Sequence, residues 1–358
     1  MSATPEGIRF AGDVNIDKIE VISSNGFGQE ITNQVVALEI YEDMFSPFVS
    51  GVLAVKDSLD FTNLFPFVGE EYVNIKIRTP SFNDKVKIID DQFYIFKVNN
   101  RLKVGDRSMV YEIHFFSREA MVDLNKKVSR AYEGKISDIA KSIITDPVHG
   151  LESKKTFVIE DTPNGNKFIS NYWSPVKNLN YISETATNKN GAASYLFFEN
   201  RKGFNFVSTE YLYKQDQVQD FVYDNYMRDF RQDGTATRNV EKEYKRILDI
   251  NIPLLFDYID RSRLGLYASK MIAYDIVTKK YIAKNYDMLN NFKNTAHLNP
   301  NPLTSKKNIR RSQAVIVNYP KYYNNFNNYA DVTNSKTVQK RMSLLSQADA
   351  NKVEIVVP

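Results

Sequence analysis

Apolar and polar residues alternate along much of the first 118 positions of the chain. In one clear run, every second residue is large and apolar or aromatic: Met109, Tyr111, Ile113 and Phe115. Short turn signals separate such runs: Asn25-Gly26, Thr79-Pro80, Asn99-Asn100 and Gly105-Asp106. A period of two is typical of half-buried strands, and several strands at this spacing without a long helix predict a β-barrel or sandwich.

The periodicity becomes helical after Ser117. Between Gly134 and Asp146 the apolar residues stand at the spacing of one helix face: Ile136, Ile139, Ala140, Ile143 and Ile144. A second helix is predicted after Ser174-Pro175, because serine caps helices and proline suits their first turn. Two strand-like runs around Asn200-Arg201-Lys202-Gly203 then predict a β-hairpin.

The remaining sequence has weaker patterns. We predict extended connectors in 216–250, a short helix from Phe256 to Ala268, two strands between Met271 and Asp287, and loop-like chain in 290–334. A last helix is predicted from about Lys336 to Asn351, followed by a strand at 352–357. Since one strand cannot pair its backbone alone, we expect either a longer natural chain or a neighbouring chain to complete its sheet.

The stretch from Val35 to Arg78 resembles a known family. It reads as a strand, an acidic turn with Ser46-Pro47, a second strand, Gly69-Glu70-Glu71, and a third strand. This order is similar to the first tube-forming domain of the central hub protein of contractile-tail (T4-like) bacteriophage baseplates. Later segments resemble the same family in the same order: 111–119, 128–136, Trp173-Ser174-Pro175, the hairpin at 196–206, and 257–276.

The resemblance implies a mainly β, multidomain, ring-forming fold with α+β insertions. It implies four regions: a first tube-type β-barrel domain at 7–118, an α+β domain at 119–215, a connector with an inserted strand- and loop-rich domain at 216–334, and the helix and first strand of an incomplete second tube-type domain at 335–358.

The implied function is structural. A homotrimeric ring would adapt the threefold central spike to the sixfold tail tube and form a channel for DNA and the tape-measure protein. The implied partners are the chain itself, the spike and the tail tube proteins. Baseplate wedge and tape-measure proteins are further candidates, and DNA would be present only in transit. The protein would be assembled in the host cytoplasm and reside in the virion. The alternatives are a hub or tube initiator of another contractile injection system, or a tail-associated peptidoglycan hydrolase.

Composition agrees with a folded assembly component. The 47 basic and 43 acidic residues nearly balance, whereas a dedicated nucleic-acid binder usually carries a clear basic excess. There is no cysteine, so disulfides and thiolate metal sites are excluded. No apolar run reaches the ~18 residues of a membrane span, and the first residues lack the pattern of a signal peptide.

Motifs that suggest chemistry are weak. Ser174-x-x-Lys177 matches a Ser–Lys nucleophile pattern without its companion motifs, so a helix start is the better interpretation. Gly26-Phe27-Gly28 favours a hairpin turn over a dinucleotide loop. The three histidines are scattered, and Asp90-Asp91 are adjacent instead of facing each other across a cleft. We predict no catalytic residue, no metal site and no cofactor.

Two charged groups remain as interface or channel candidates. Glu70 and Glu71 could be a solvated turn, or could face a DNA channel and keep phosphates from sticking. The main basic group consists of Lys306, Lys307, Arg310 and Arg311. It could be a solvated loop, dock an acidic partner protein, or bind nucleic acid.

Overall fold

The computed structural model describes most of the chain: residues 11–58, 67–80, 89–104, 108–191, 193–223, 228–230, 236–238, 240–252, 257–275, 279–305, 313–318, 335–350 and 352–358. Strands predominate, as the alternation of apolar residues predicted, and the mainly β fold class is confirmed.

The first part of the chain folds into a curled, seven-stranded antiparallel sheet. Its strands are β1 (Asn15–Ile22), β2 (Gly28–Glu30), β3 (Val35–Tyr41), β4 (Ser50–Asp57), β5 (Tyr72–Arg78), β6 (Ile89–Val104) and β7 (Ser108–Ser117). Their order is β2-β1-β5-β6-β7-β4-β3, so β2 and β3 are the edges. A short 3-10 helix, Thr32–Gln34, precedes β3. The predicted turn at Asn25-Gly26 joins β1 to β2, with Gly26 at a φ of 78°.

One face of this sheet is its hydrophobic core. The alternation places every second residue of the central strands on that face, among them Ile75, Ile95, Tyr111, Ile113 and Phe115. Neighbouring atoms pack closely against Gly51 on β4. A Cβ there would lie 2.4 Å from the carbonyl oxygen of Glu39 and 2.4 Å from the ring of Phe115. The core therefore requires glycine at this position.

An α+β unit follows. It contains α1 (Arg118–Asn125), β8 (Val128–Lys135), α2 (Ile136–Thr145), β9 (Phe157–Ile159), β10 (Gly165–Trp173), α3 (Pro175–Thr185), β11 (Tyr195–Asn200), β12 (Gly203–Ser208) and α4 (Thr209–Tyr213). β8 pairs with β10, and β11 pairs with β12, which pairs in parallel with β9. Both predicted helices and the predicted hairpin are confirmed, and the apolar stripe of α2 is buried.

The last third of the chain contains short elements around a three-stranded sheet. They are β13 (Arg228–Phe230), β14 (Ala236–Arg238), α5 (Val240–Glu243), β15 (Asp249–Asn251), α6 (Tyr258–Arg263), β16 (Ala268–Asp275), β17 (Lys280–Asp287), α7 (Met288–Asn291), a 3-10 helix (Phe292–Asn294), β18 (Gln313–Asn318), α8 (Ser335–Ala350) and β19 (Glu354–Val356). The sheet order is β17-β16-β18, and β13 pairs with β14.

Two predictions in this region were wrong. The segment 290–334 was predicted to be loop-like, but 313–318 forms β18, because its apolar run pairs in parallel with β16. The helix predicted from Phe256 to Ala268 is limited to α6, and Ala268 already belongs to β16.

The predicted last helix, α8, packs between the three-stranded sheet and the α+β unit. Ser343 donates its hydroxyl to the carbonyl of Leu266 at 2.7 Å. On the other side, the guanidinium of Arg341 donates to the carbonyls of Ser183, Ala193 and Tyr195 at 3.1, 3.2 and 2.7 Å. The helix therefore ties the two parts of the chain together, whereas its assignment to a second tube-type domain stays a prediction.

The terminal strand finds a partner within the chain. β19 pairs antiparallel with β15, a strand that the sequence pattern did not predict. The partner that we expected from a longer or a neighbouring chain is instead supplied by β15 of the same chain. We call this pair the β15–β19 ribbon.

Candidate assembly surfaces

The β15–β19 ribbon exposes apolar side chains. Ile250 stands directly opposite Ile355, so both point to the same face of the ribbon. The alternation continues along both strands and their flanks with residues that are 36–52% exposed: Leu248, Ile250, Ile252, Val353, Ile355 and Val357. A two-stranded ribbon is only marginally stable in water, and contiguous apolar surface usually marks an interaction site. The sequence signal for this strand is the alternation in Leu248-Asp249-Ile250-Asn251-Ile252, at the end of the region predicted to contain extended connectors.

Strand β3 forms an apolar edge of the seven-stranded sheet. Its sequence Val-Val-Ala-Leu-Glu-Ile-Tyr has one charged residue, Glu39. Val36 and Tyr41 are largely exposed, and among the described residues no strand pairs with the outer side of β3. Long, apolar edge strands readily pair with another chain. β3 is therefore a second candidate assembly surface.

The acidic candidates lie just before β5 and differ from each other. Glu70 is exposed. Glu71 is buried, and its carboxylate accepts the backbone N–H groups of Val68 at 2.8 Å and Gly69 at 2.9 Å. The carboxylate of Glu71 thus stabilises the loop that precedes β5. The prediction that an acidic side chain faces a DNA channel therefore applies to the exposed Glu70, and it stays a prediction.

The basic candidates lie outside the described residues. Lys306, Lys307, Arg310 and Arg311 fall in the gap between 305 and 313. The three interpretations of this group stay open.

A buried charged group joins the sheet to the α+β unit. One carboxylate oxygen of Glu199, on β11, accepts the backbone N–H of Val49 at 3.0 Å and the hydroxyl of Ser117. Its other oxygen accepts the ammonium of Lys155, whose Nζ also lies 3.0 Å from Oε2 of Glu119. Both carboxylate side chains are buried. We call Ser117, Glu119, Lys155 and Glu199 the Glu199 cluster.

Burial and charge act against each other in the Glu199 cluster. Burial is the largest influence on Glu199 and raises the pKa of its carboxyl group, although Lys155 and the hydrogen bonds oppose that rise. Burial also opposes the charge of Lys155, but the carboxylates of Glu199 and Glu119 outweigh it and raise the pKa of the ammonium. The only signal of this cluster in the sequence is a single charged residue, Glu199, after four apolar or aromatic residues.

The loop between β3 and β4 forms the rest of this contact. The ring of Phe48 packs edge-on against Phe204 with centroids 6.3 Å apart, and Met44 packs against a cluster of Leu196, Phe198 and Val207. Glu42 accepts the backbone N–H of Arg201 at 2.9 Å. The acidic Ser-Pro turn that stood out in the sequence is therefore the docking loop of the sheet.

A cavity of about 150 Å³ lies beside the Glu199 cluster. It opens between the sheet and the turn of the β11–β12 hairpin, and Ile40, Val49 and Phe93 supply apolar walls. Charged residues of both parts line it: Glu42, Asp91, Lys155, Glu199, Arg201 and Lys202.

The motifs weighed for chemistry have structural roles. Ser174 caps α3 by accepting the backbone N–H of Lys177, and the ammonium of Lys177 lies 5.1 Å from the centre of the Trp173 ring. No Ser–Lys pair is formed. The ring of His114 bonds with Asn99 at 2.7 Å. Within the described ranges, no group of three or more His, Cys, Asp or Glu residues could hold a metal ion, and no helix there is long and apolar enough to cross a membrane.

The chain matches no family model and no curated protein. Several solved structures resemble it, and two of them match over nearly all of its length. The tail protein from Neisseria meningitidis MC58 is 11% identical with a TM-score of 0.52, and the match covers 95% of this chain and 80% of that one. The 43 kDa tail protein of prophage MuSo2 from Shewanella oneidensis is 9% identical with a TM-score of 0.50, covering 95% and 82%. The fold of this chain is therefore similar to that of these two tail proteins, one of which belongs to a prophage.

Proposed function

We propose that this chain is a structural hub of a phage tail baseplate. In this proposal three copies form a ring that adapts a threefold central spike to the sixfold tail tube, and the ring encloses a channel for DNA and the tape-measure protein. The fold shared with two tail proteins, one of them from a prophage, supports a structural tail component. The proposal assigns the chain no catalytic chemistry.

The β15–β19 ribbon is the observation that carries the proposal. Its apolar side chains are exposed, and a ribbon of two strands is only marginally stable alone, so a partner surface that covers it would stabilise it. The outer edge of β3 lies on a different sheet and also presents apolar residues. Two different apolar strand surfaces on one chain suit head-to-tail contacts, which close into a ring when the rotation between neighbours allows it.

Native mass spectrometry of the full chain, alone and with a candidate spike protein, tests the proposal. We expect a trimer, or a complex with three copies of each chain. A monomer under both conditions would contradict the trimer.

A matched pair of variants tests the surface. Ile250→Asp combined with Ile355→Asp should shift the assembly to monomer. Each ribbon would then carry two carboxylates, and forming the contact would require removing both from water. Ile169→Asp, at a residue that is exposed on β10, should leave the trimer intact. If the ribbon variant still forms trimers, the ribbon is not the contact; if the control also dissociates, the loss is not specific.

A further inference from the structure

The cavity beside the Glu199 cluster has apolar walls at its inner end. Val49 and Phe93 are buried and belong to the hydrophobic core of the sheet, and Ile40 and Ile89 pack against that core. A cavity of about 150 Å³ with apolar walls is large enough to hold a benzene ring. The inner end of the cavity therefore suits one aromatic or branched apolar group.

The mouth of the cavity carries exposed charged groups of both signs. Glu42 and Asp91 lie on the side of the sheet, whereas Arg201 and Lys202 lie in the turn of the β11–β12 hairpin. Glu42 accepts the backbone N–H of Arg201 through Oε1, at 2.9 Å. Among the described residues, no ion pair is formed by Asp91, Arg201 or Lys202. The acidic and the basic side of the mouth therefore do not neutralise each other.

The buried charges of the Glu199 cluster are already bonded. The carboxylate of Glu199 accepts from Val49, Ser117 and Lys155, and the ammonium of Lys155 also lies 3.0 Å from Glu119. These groups form one wall of the cavity, and a ligand has no need to displace their bonds. Polar contacts with a ligand are thus left to the exposed groups at the mouth.

The arrangement of charge selects the class of ligand. An apolar molecule would contact only the inner walls, and a molecule with a single charge would contact only one side of the mouth. A zwitterion with an apolar side chain complements all three parts of the cavity at once. A small number of polar groups at the edge of an apolar cavity is the usual way in which a binding site orients its ligand.

We propose that this cavity binds an α-amino acid with an aromatic or branched apolar side chain. The carboxylate of the ligand pairs with Arg201 and Lys202, its ammonium group pairs with Asp91 and Glu42, and its side chain enters the apolar inner end. The ligand thereby bridges the sheet and the hairpin turn. The site does not depend on the proposed ring, since all of its residues belong to one chain.

Saturation-transfer NMR on the full chain tests the site with L-phenylalanine as the probe. We expect a dissociation constant on the order of 1 mM, because so small a ligand has few atoms that contribute to binding. Two analogues separate the charges, since hydrocinnamate lacks the ammonium group and phenethylamine lacks the carboxylate. Each should bind about threefold to tenfold more weakly, because it leaves one side of the mouth without its counter-charge. Glycine has both charges but no side chain, and it should not compete.

Variants at the mouth assign each charge. Arg201→Gln combined with Lys202→Gln should weaken L-phenylalanine and hydrocinnamate but not phenethylamine. Asp91→Asn should weaken L-phenylalanine and phenethylamine but not hydrocinnamate. Lys189→Gln is the control, because its side chain is 78% exposed and does not line the cavity, and it should leave all three affinities unchanged. The substituted side chains are exposed, so the variants should fold, which circular dichroism checks.

The proposal is overturned if L-phenylalanine shows no saturation transfer up to its solubility limit, or if both mouth variants bind it as the wild type does. Equal affinities for L-phenylalanine, hydrocinnamate and phenethylamine would also overturn it, because the charged groups would then play no part. These measurements do not involve the oligomeric state, so their failure leaves the proposed trimer unaffected.

Discussion

The carboxylate of Glu199 lies 3.0 Å from the backbone nitrogen of Val49, although 150 positions separate the two residues in the chain. This bond joins β11 of the α+β unit to the residue before β4 of the sheet. Since the same oxygen accepts the hydroxyl of Ser117, one side chain fixes how the two parts of the chain meet.

Removing this carboxylate should weaken the fold. Glu199→Ala leaves the amide of Val49 without its acceptor and Lys155 with one carboxylate fewer, and it leaves the hydroxyl of Ser117 only the carbonyl of Val49, at 3.3 Å. Breaking a buried ion pair costs about 3–5 kcal/mol, so a large drop in the urea midpoint is expected. Glu199→Gln keeps an acceptor and should lose less. Glu133→Ala, which removes an exposed pair with Lys167, should lose under about 1 kcal/mol. Equal losses for Glu199→Ala and Glu133→Ala would refute this ranking.

Lys155 should make the free energy of unfolding fall at alkaline pH. Its folded pKa is raised above 10.5, so its stabilising contribution is complete below that pH and is lost as pH rises through the raised value. Lys155→Met has no such charge to lose. The difference in free energy of unfolding between wild type and Lys155→Met should therefore shrink above pH 10.5. A difference that is constant from pH 8 to 12 would show that Lys155 acts by packing alone, and urea titrations across this range would measure it.

Arg341 should be the most sensitive residue of α8. Its guanidinium donates to three backbone carbonyls, two of which, Ala193 and Tyr195, lie next to or in β11. Burial lowers its pKa to about 10, which reflects a charge held among neutral carbonyls. Because each hydrogen bond to a charged group contributes about 1.5–3 kcal/mol, Arg341→Met should lose at least that much in urea unfolding.

The control for Arg341 is another arginine. Arg263, at the end of α6, is exposed and pairs only with Asp260 among the bonds described, at 3.3 Å. Arg263→Met should change stability by less than about 1 kcal/mol. Comparable losses for the two arginines would mean that α8 is not held by its carbonyl contacts.

Gly51 should not tolerate a methyl group. Gly51→Ala would place a Cβ 2.4 Å from the carbonyl oxygen of Glu39 and 2.4 Å from the ring of Phe115, so backbone and core must shift. Overpacking of this kind typically costs about 1–3 kcal/mol. Gly28→Ala is the matched change, because its Cβ meets only the flexible end of Glu20 at 2.9 Å. Thermal unfolding should separate the two, and a Gly28→Ala loss as large as that of Gly51→Ala would contradict the steric argument.

The local elements of this protein were readable from its sequence. The period of two from Met109 to Phe115 predicted β7, and the helical stripe from Ile136 to Ile144 predicted α2, because alternation and helical spacing reflect which side of an element is buried. The Ser174-Pro175 pair also predicted the start of α3 correctly.

Long-range pairing was decided only by the tertiary structure. Nothing in the local pattern of 313–318 or 354–356 indicates that these segments join β16 and β15, since strand partners distant in sequence depend on the path of the whole chain. The Glu199 cluster has the same origin: a lone glutamate in an apolar strand is visible in the sequence, but its partners come from three other segments. Local sequence thus determined which residues face inward, whereas the fold decided which of them meet.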